Sequence, residues 1–125
     1  MRRLLVTVFC LIALLGLLPS PAMAQSNVPL VVIRFNQDRV MFERQLYNAI
    51  AKAVEIKPTV VMDVVSFLPE TGNDRLNEKL HAKASGETAR VVNSLVSMGI
   101  PKERMHVSQE AGAGLQYHEV HVYVE

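Results

Sequence analysis

The segment Val60–Leu68 constrains the fold of this chain most strongly, because it is apolar at every position except Asp63 and Ser66. It is rich in β-branched and aromatic residues and lies between Pro58 and Pro69, so it predicts a strand rather than a helix. A strand this uniformly apolar is typical of the interior of a sheet that is buried on both faces. We therefore expect Val60–Leu68 to be the central strand of a sheet covered by helices.

Strand and helix patterns alternate on both sides of this segment. They predict a strand over Leu30–Phe35, a helix capped by Asn36 or Asp38 and ended by Pro58, a second helix from about Leu76 to Gly99, a third strand over Met105–Ser108 and a last strand over Tyr117–Glu125. The order is β-α-β-α-β-β. We expect an α/β two-layer sandwich, in which a mixed sheet carries both helices on one face and the last strand runs antiparallel to the third.

The first residues of the chain have the pattern of an export signal. Arg2 and Arg3 precede an apolar stretch over Leu4–Leu18, and Ala22-Met23-Ala24 is a typical cleavage site. The stretch is shorter than the roughly 20 residues that a membrane-spanning helix needs. We expect a signal peptide over residues 1–24, cleavage after Ala24, a periplasmic location and no stable membrane anchor afterwards.

The rest of the chain fits a short leader over residues 25–29 and a single domain over residues 30–125. Of the 13 Lys and Arg residues, 11 remain after cleavage, against 12 Asp and Glu. This nearly equal number of positive and negative side chains argues against nucleic acid as a partner, because binding nucleic acid requires a concentrated basic field. The single cysteine, Cys10, belongs to the signal, so the mature chain has no disulfide and no thiolate ligand. We expect no cofactor.

Two groups of residues are candidate binding sites. The loop after the central strand lies where ligands commonly bind in α/β sheets, and it supplies Phe67, Glu70, Thr71 and Asn73. Three ring-bearing side chains of the last strand favour a protein contact, since exposed aromatic residues mark interfaces. These are Tyr117, His121 and Tyr123.

An enzymatic site is the alternative that these residues leave open. Asp63 inside an apolar strand could act as a general base, and His106 could meet His118 across the sheet. Positions three apart on a strand point to opposite faces, so His118 and His121 cannot chelate one metal ion together. We predict no metal site.

The last third of the chain resembles the OmpA-like C-terminal domain. The resemblance lies in Leu95–Met105, which joins the second helix to the third strand through Gly-Ile-Pro, in the turn Gly112-Ala113-Gly114 and in the closing Val120–Val124. It implies an exported β-α-β-α-β-β domain that binds peptidoglycan. In that family, an Asp after the second strand and an Arg of the second helix hold the ligand.

The residues that would bind the ligand differ in this chain. The position of the family's helix Arg falls on Glu87, the strand-end Asp falls near Phe67, and the usual Arg pair of the closing strand is replaced by His118 and Glu119. Arg90, one turn further along the helix, is the remaining candidate for binding a carboxylate. We therefore predict a non-enzymatic periplasmic binding or adaptor domain for an envelope protein or peptidoglycan. The alternatives are a subunit of an envelope-spanning secretion machine and a small periplasmic enzyme.

Overall fold

The computed structural model describes residues 28–125, so the predicted signal peptide and most of the leader lie outside the described residues. Its helices and strands are β1 (Val31–Phe35), α1 (Glu43–Ile56), β2 (Met62–Pro69), α2 (Asp74–Ser97), β3 (Met105–Gly112) and β4 (His118–Val124). A short 3₁₀ turn over Lys102–Arg104 precedes β3. Within the described part of the chain, no helix is long and apolar enough to cross a bilayer.

The four strands form one mixed sheet in the order β1-β4-β2-β3. β4 is antiparallel to both of its neighbours, and β2 is parallel to β3. Helix α1 packs on β1, and α2 packs on β2 and β4. The predicted fold class, an α/β two-layer sandwich with a mixed sheet, is confirmed.

The helices cover one face of the sheet, and the core lies beneath them. β2 is an interior strand, as predicted, but the expectation that both of its faces are buried was wrong. Its residues alternate between full and partial burial, because no helix of the described chain covers the second face. The core residues are Val31, Ile33, Phe35, Phe42, Leu46, Ile50, Val60, Met62, Val64, Val91, Leu95, Ile100, Met105, Val120 and Val122.

The two helices begin differently from one another. α1 begins at Glu43, directly after the buried Phe42, so the prediction that Asn36 or Asp38 caps it was wrong. Burial of the Phe42 ring fixes the start of the helix, and no side chain caps it. α2 has a conventional cap, since the Asn73 side chain accepts a hydrogen bond from the backbone N–H of Leu76 at 3.0 Å.

The connection between β3 and β4 is the feature that positions the candidate site. β3 extends to Gly112, beyond the predicted Ser108, and β4 lies on the far side of β2 rather than beside β3. Residues 113–117 therefore cross the carboxyl end of β2, turning at Gly114, whose φ of +81° suits a glycine. As a result, Gln116 and Tyr117 lie beside Pro69, the last residue of β2.

Two leucines of α2 allow a direct test of where the core lies. Leu95 is fully buried, whereas Leu76 is 43% exposed. We expect Leu95→Ala to lower the free energy of unfolding by about 2–5 kcal/mol, and Leu76→Ala by less than about 1 kcal/mol. Urea unfolding followed by circular dichroism measures both changes. Equal losses in the two variants would contradict this packing of α2 on the sheet.

Candidate functional site

A buried chain of hydrogen bonds joins α2 to the two interior strands of the sheet. His118 of β4 lies between Glu87 of α2 and Ser66 of β2, with 2.9 Å from its Nδ1 to Glu87 Oε1 and 2.6 Å from its Nε2 to Ser66 Oγ. All three residues are buried. Thr88 Oγ1 lies 3.4 Å from the same Nε2. We call Ser66, His118 and Glu87 the buried network.

The positions of the protons in the buried network follow from which groups can donate a hydrogen bond. A carboxylate only accepts, so Nδ1 of a neutral His118 donates to Glu87 and its Nε2 accepts from the Ser66 hydroxyl. This order of bonds is also that of a serine-hydrolase triad. However, Ser66 is fully buried and does not line the neighbouring cavity. A nucleophile must be reached by its substrate, so we interpret the buried network as a structural connection.

Burial favours the neutral form of His118. Loss of solvent lowers the pKa of His118 below its ordinary value of 6.5, although the hydrogen bond and the negative charge of Glu87, and the charge of Glu119, oppose that shift. Phe35 stacks on the imidazole at 5.3 Å between ring centroids, with the two rings nearly parallel. The ring stack fills the space on one side of the imidazole.

A small cavity of about 60 Å³ lies at the carboxyl ends of β1 and β2, next to the buried network. Its lining comes from those strand ends, from α2 and from the connection that precedes β4. Glu87 and His118 form part of the wall, together with Lys83 and Tyr117. Sites for small molecules usually enclose roughly 300 Å³ or more, so this cavity is too small for a ligand the size of a peptide stem.

The predicted loop site is mainly a helix cap. The Thr71 N–H and hydroxyl both donate to Asn77 Oδ1, at 2.9 and 2.8 Å, and the Asn73 N–H donates to Thr71 Oγ1 at 3.0 Å. Thr71 and Asn73 therefore stabilise the start of α2. Glu70 is exposed in the same loop. Phe67 is not in the loop, because it belongs to β2 and lies on the face of the sheet away from the helices.

Arg90 lies away from this loop and from the cavity. Its guanidinium donates to the Val40 carbonyl at 3.3 Å and to Glu43 at 3.4 Å, and it lies 5.0 Å from the centroid of the Phe42 ring. These contacts join α2 to the start of α1. Arg90 therefore does not line the cavity at the strand ends.

The second face of the sheet carries an aromatic cluster. Phe67 and His121 lie 4.4 Å apart between ring centroids, and His121 and Tyr123 lie 6.2 Å apart. All three side chains are half-buried and share the face opposite the helices, which we call the open face. The structure thus brings two of the predicted protein-contact residues together with Phe67. The third, Tyr117, is exposed at the rim of the cavity instead.

Glu119 organises the charges of the open face. It accepts hydrogen bonds from Arg34 Nε and from His121 Nε2, each at 2.9 Å. Partial burial raises the pKa of Glu119, but the hydrogen bonds from His121 and Arg34 and their charges outweigh burial and hold the pKa below its ordinary value of 4.5. Glu119 is therefore a carboxylate at neutral pH that bonds to both Arg34 and His121.

The two histidines of the enzymatic alternative lie on opposite faces of the sheet. His106 is the neighbour of Asp63 on the open face, at the outer strand β3, whereas His118 is buried on the helix face of β4. Arg34 is two strands away from Asp63 and pairs with Glu119. Among residues 28–125, no three His, Cys, Asp or Glu side chains are grouped so as to hold a metal ion.

Sequence reasoning missed the buried network, although two of its members were visible as anomalies. Ser66 interrupts an apolar strand, and Glu87 lies within the apolar stripe of α2, beside Thr88. A polar residue at a position that the pattern assigns to the core requires a buried partner. Identifying His118 as that partner also required knowledge of the strand order.

Comparisons with known proteins give no family assignment: no family model matches the chain, and no curated protein matches it in sequence.

The lowered pKa of His118 predicts a specific pH dependence of stability. Below pH 6.5 the unfolded chain takes up a proton on this histidine more readily than the folded protein, so the free energy of unfolding falls as the pH decreases from 6.5 toward the native pKa. We expect His118→Gln, whose amide can still donate to Glu87 and accept from Ser66, to flatten this decrease. Urea unfolding at several pH values between 7.5 and 5 measures it.

A matched control separates His118 from the other histidines. His81→Gln, at an exposed position of α2, should retain the wild-type dependence. The contribution of Glu119 falls in a different window, since its lowered pKa means that stability is lost only below about pH 4.5. Equal slopes for wild type and His118→Gln between pH 6.5 and 5 would contradict the assignment.

Proposed function

We propose that this chain is a non-enzymatic binding domain of the periplasm that docks an envelope protein on the open face of its sheet. The periplasmic location rests on the export signal over residues 1–24, and the domain type rests on the resemblance to OmpA-like domains. The observation that supports the proposal most is the aromatic cluster of Phe67, His121 and Tyr123 on a face that no described helix covers.

The Glu119 carboxylate of this face can be covered by another protein. Glu119 already has two partners in Arg34 and His121. Covering a charge that lacks a partner is costly, whereas a pair that satisfies itself can be covered with a smaller loss of solvation. A partner can therefore cover Glu119 without supplying a counter-charge for it.

The aromatic side chains supply the contact area. Phe67 lies against His121, so its ring loses little conformational freedom when a partner binds. Tyr123 adds a second amphipathic ring, and aromatic residues are enriched in the cores of protein interfaces. The partner surface that fits this face is apolar at its centre.

Peptidoglycan is the less favoured ligand. Where the family resemblance places an Arg that would bind a carboxylate, Glu87 bonds to His118 and presents the opposite charge. The cavity beside it measures only about 60 Å³. Arg90 bonds to the start of α1, so it does not compensate.

Photo-crosslinking in the native host tests the proposal. We expect p-benzoylphenylalanine in place of Tyr123 to give a discrete adduct with an envelope protein, identified by mass spectrometry. The same group in place of Tyr47, which is exposed on α1, is the matched control and should give none. Adding Phe67→Ala to the Tyr123 probe should reduce the adduct by about tenfold or more, as expected for loss of an aromatic contact of 1.4 kcal/mol or larger.

Three results would contradict the proposal. One is the absence of an adduct at position 123. Another is equal labelling from positions 123 and 47, and the third is an adduct that Phe67→Ala leaves unchanged.

A further inference from the structure

β3 is an edge of the sheet with nothing paired to its outer side in the described chain. It contains eight residues, and all of those between its buried ends are exposed. The backbone of an edge strand presents a row of unpaired N–H and C=O groups that another strand can bond. No strand of the sheet is longer than β3, so the row of unpaired groups is as long as this sheet allows.

The usual protections of an edge are missing from β3. Met105–Gly112 contains no Lys, Arg or Pro, and its only charged residue is Glu110. The opposite edge, β1, differs: it has five residues and carries the exposed Arg34. Short edge strands and outward-facing positive charges are devices that prevent strands from pairing. β3 has neither.

A groove runs beside this edge on the helix side. It measures about 320 Å³ and lies between α2 and β3, with small side chains such as Ser85 and Ala89 on the helix wall. Val107 and Gln109 form the strand wall, and Val107 is 52% exposed. A strand added to β3 would place alternate side chains in this groove and bury Val107.

We propose that two copies of this chain pair through β3, antiparallel about a two-fold axis at Ser108, and so form a continuous eight-stranded sheet. The β3 edge is distinct from the aromatic cluster on which the proposed function rests. A second copy is the partner that fits this edge, because the edge is complementary to itself in this register.

The complementarity follows from the order of residues along β3. In the antiparallel register centred on Ser108, His106 lies opposite Glu110 of the partner subunit, and the two-fold axis repeats that pair. Both positions point to the open face, where imidazole N–H can donate to carboxylate. On the helix side, Val107 lies opposite Gln109 of the partner subunit, so no like charges meet.

A cysteine at the axis tests this register directly. Directly opposite residues of an antiparallel pair have Cβ atoms about 4.5–5.5 Å apart, close enough for a disulfide after a small adjustment. The chain from Gln25 contains no cysteine of its own. We expect Ser108→Cys to form a covalent dimer under mild oxidation. Gln109→Cys, one residue along the same exposed strand, should form little covalent dimer, because position 109 lies opposite Val107 of the partner subunit and not opposite position 109.

A charge exchange provides the second test, by sedimentation equilibrium. His106→Glu places two carboxylates opposite each other at both ends of the pairing and should weaken the dimer by about tenfold or more. Adding Glu110→Lys to that variant should restore the dimer. His81→Glu, on α2, should leave the dissociation constant unchanged.

The inference is overturned if the chain is monomeric at all concentrations up to about 1 mM. It is overturned as well if Ser108→Cys and Gln109→Cys crosslink equally, or if the charge exchange does not restore pairing. A strand from another protein at this edge would give the first of these results. None of them bears on the adduct at position 123, so the dimer and the proposed function fail separately.

Discussion

The structure depends on the hydrogen bonds that join Ser66, His118 and Glu87 beneath α2. Each of these groups would be costly to bury alone, since a buried polar group without a partner loses its hydrogen bonds to water and gains none from the protein. Together they satisfy one another, with bonds of 2.6 and 2.9 Å. Because the three residues belong to β2, β4 and α2, the network joins β4 to β2 and holds the Glu87 side of α2 against the sheet.

The same network determines where a partner can bind. Glu87 and His118 engage each other at the carboxyl ends of the strands, where α/β domains often bind ligands, and only about 60 Å³ remains beside them. The helix face of the sheet is occupied by core. What remains is the open face, with its aromatic cluster and paired Glu119, and the exposed edge of β3. The two proposals concern these two surfaces, which the packing leaves accessible.

Much of the fold was predictable because it follows from local patterns. The alternation of Val120, Val122 and Val124 with Glu119, His121 and Tyr123 predicted β4, and the apolar stripe ending at Gly99 predicted α2. The start of α1 was missed because burial of Phe42, and not a capping side chain, determines it. The burial of β2 was overestimated, since the helices cover only one face.

The candidate sites were less predictable, because their contacts join distant parts of the chain. Ser66 and His118 are 52 residues apart, and Glu87 and His118 are 31 apart. Local patterns do not encode such pairs. They also do not encode the strand order, in which β4 lies between β1 and β2 although a short connection joins it to β3. The pairing of His121 and Tyr123 was nevertheless expected, since alternation alone places them on one face.

We propose that this domain uses its open face for a protein and does not bind the cell wall at the strand ends. Co-sedimentation of the chain from Gln25 with isolated peptidoglycan sacculi tests it most directly. We expect no retention above that of an unrelated protein of similar charge. The opposite result would be retention that Lys83→Ala abolishes and Lys79→Ala preserves. Lys83→Ala removes a cation from the cavity wall, whereas Lys79 is an exposed residue one turn earlier on α2. That result would contradict the proposal and place a wall-binding site at the strand ends.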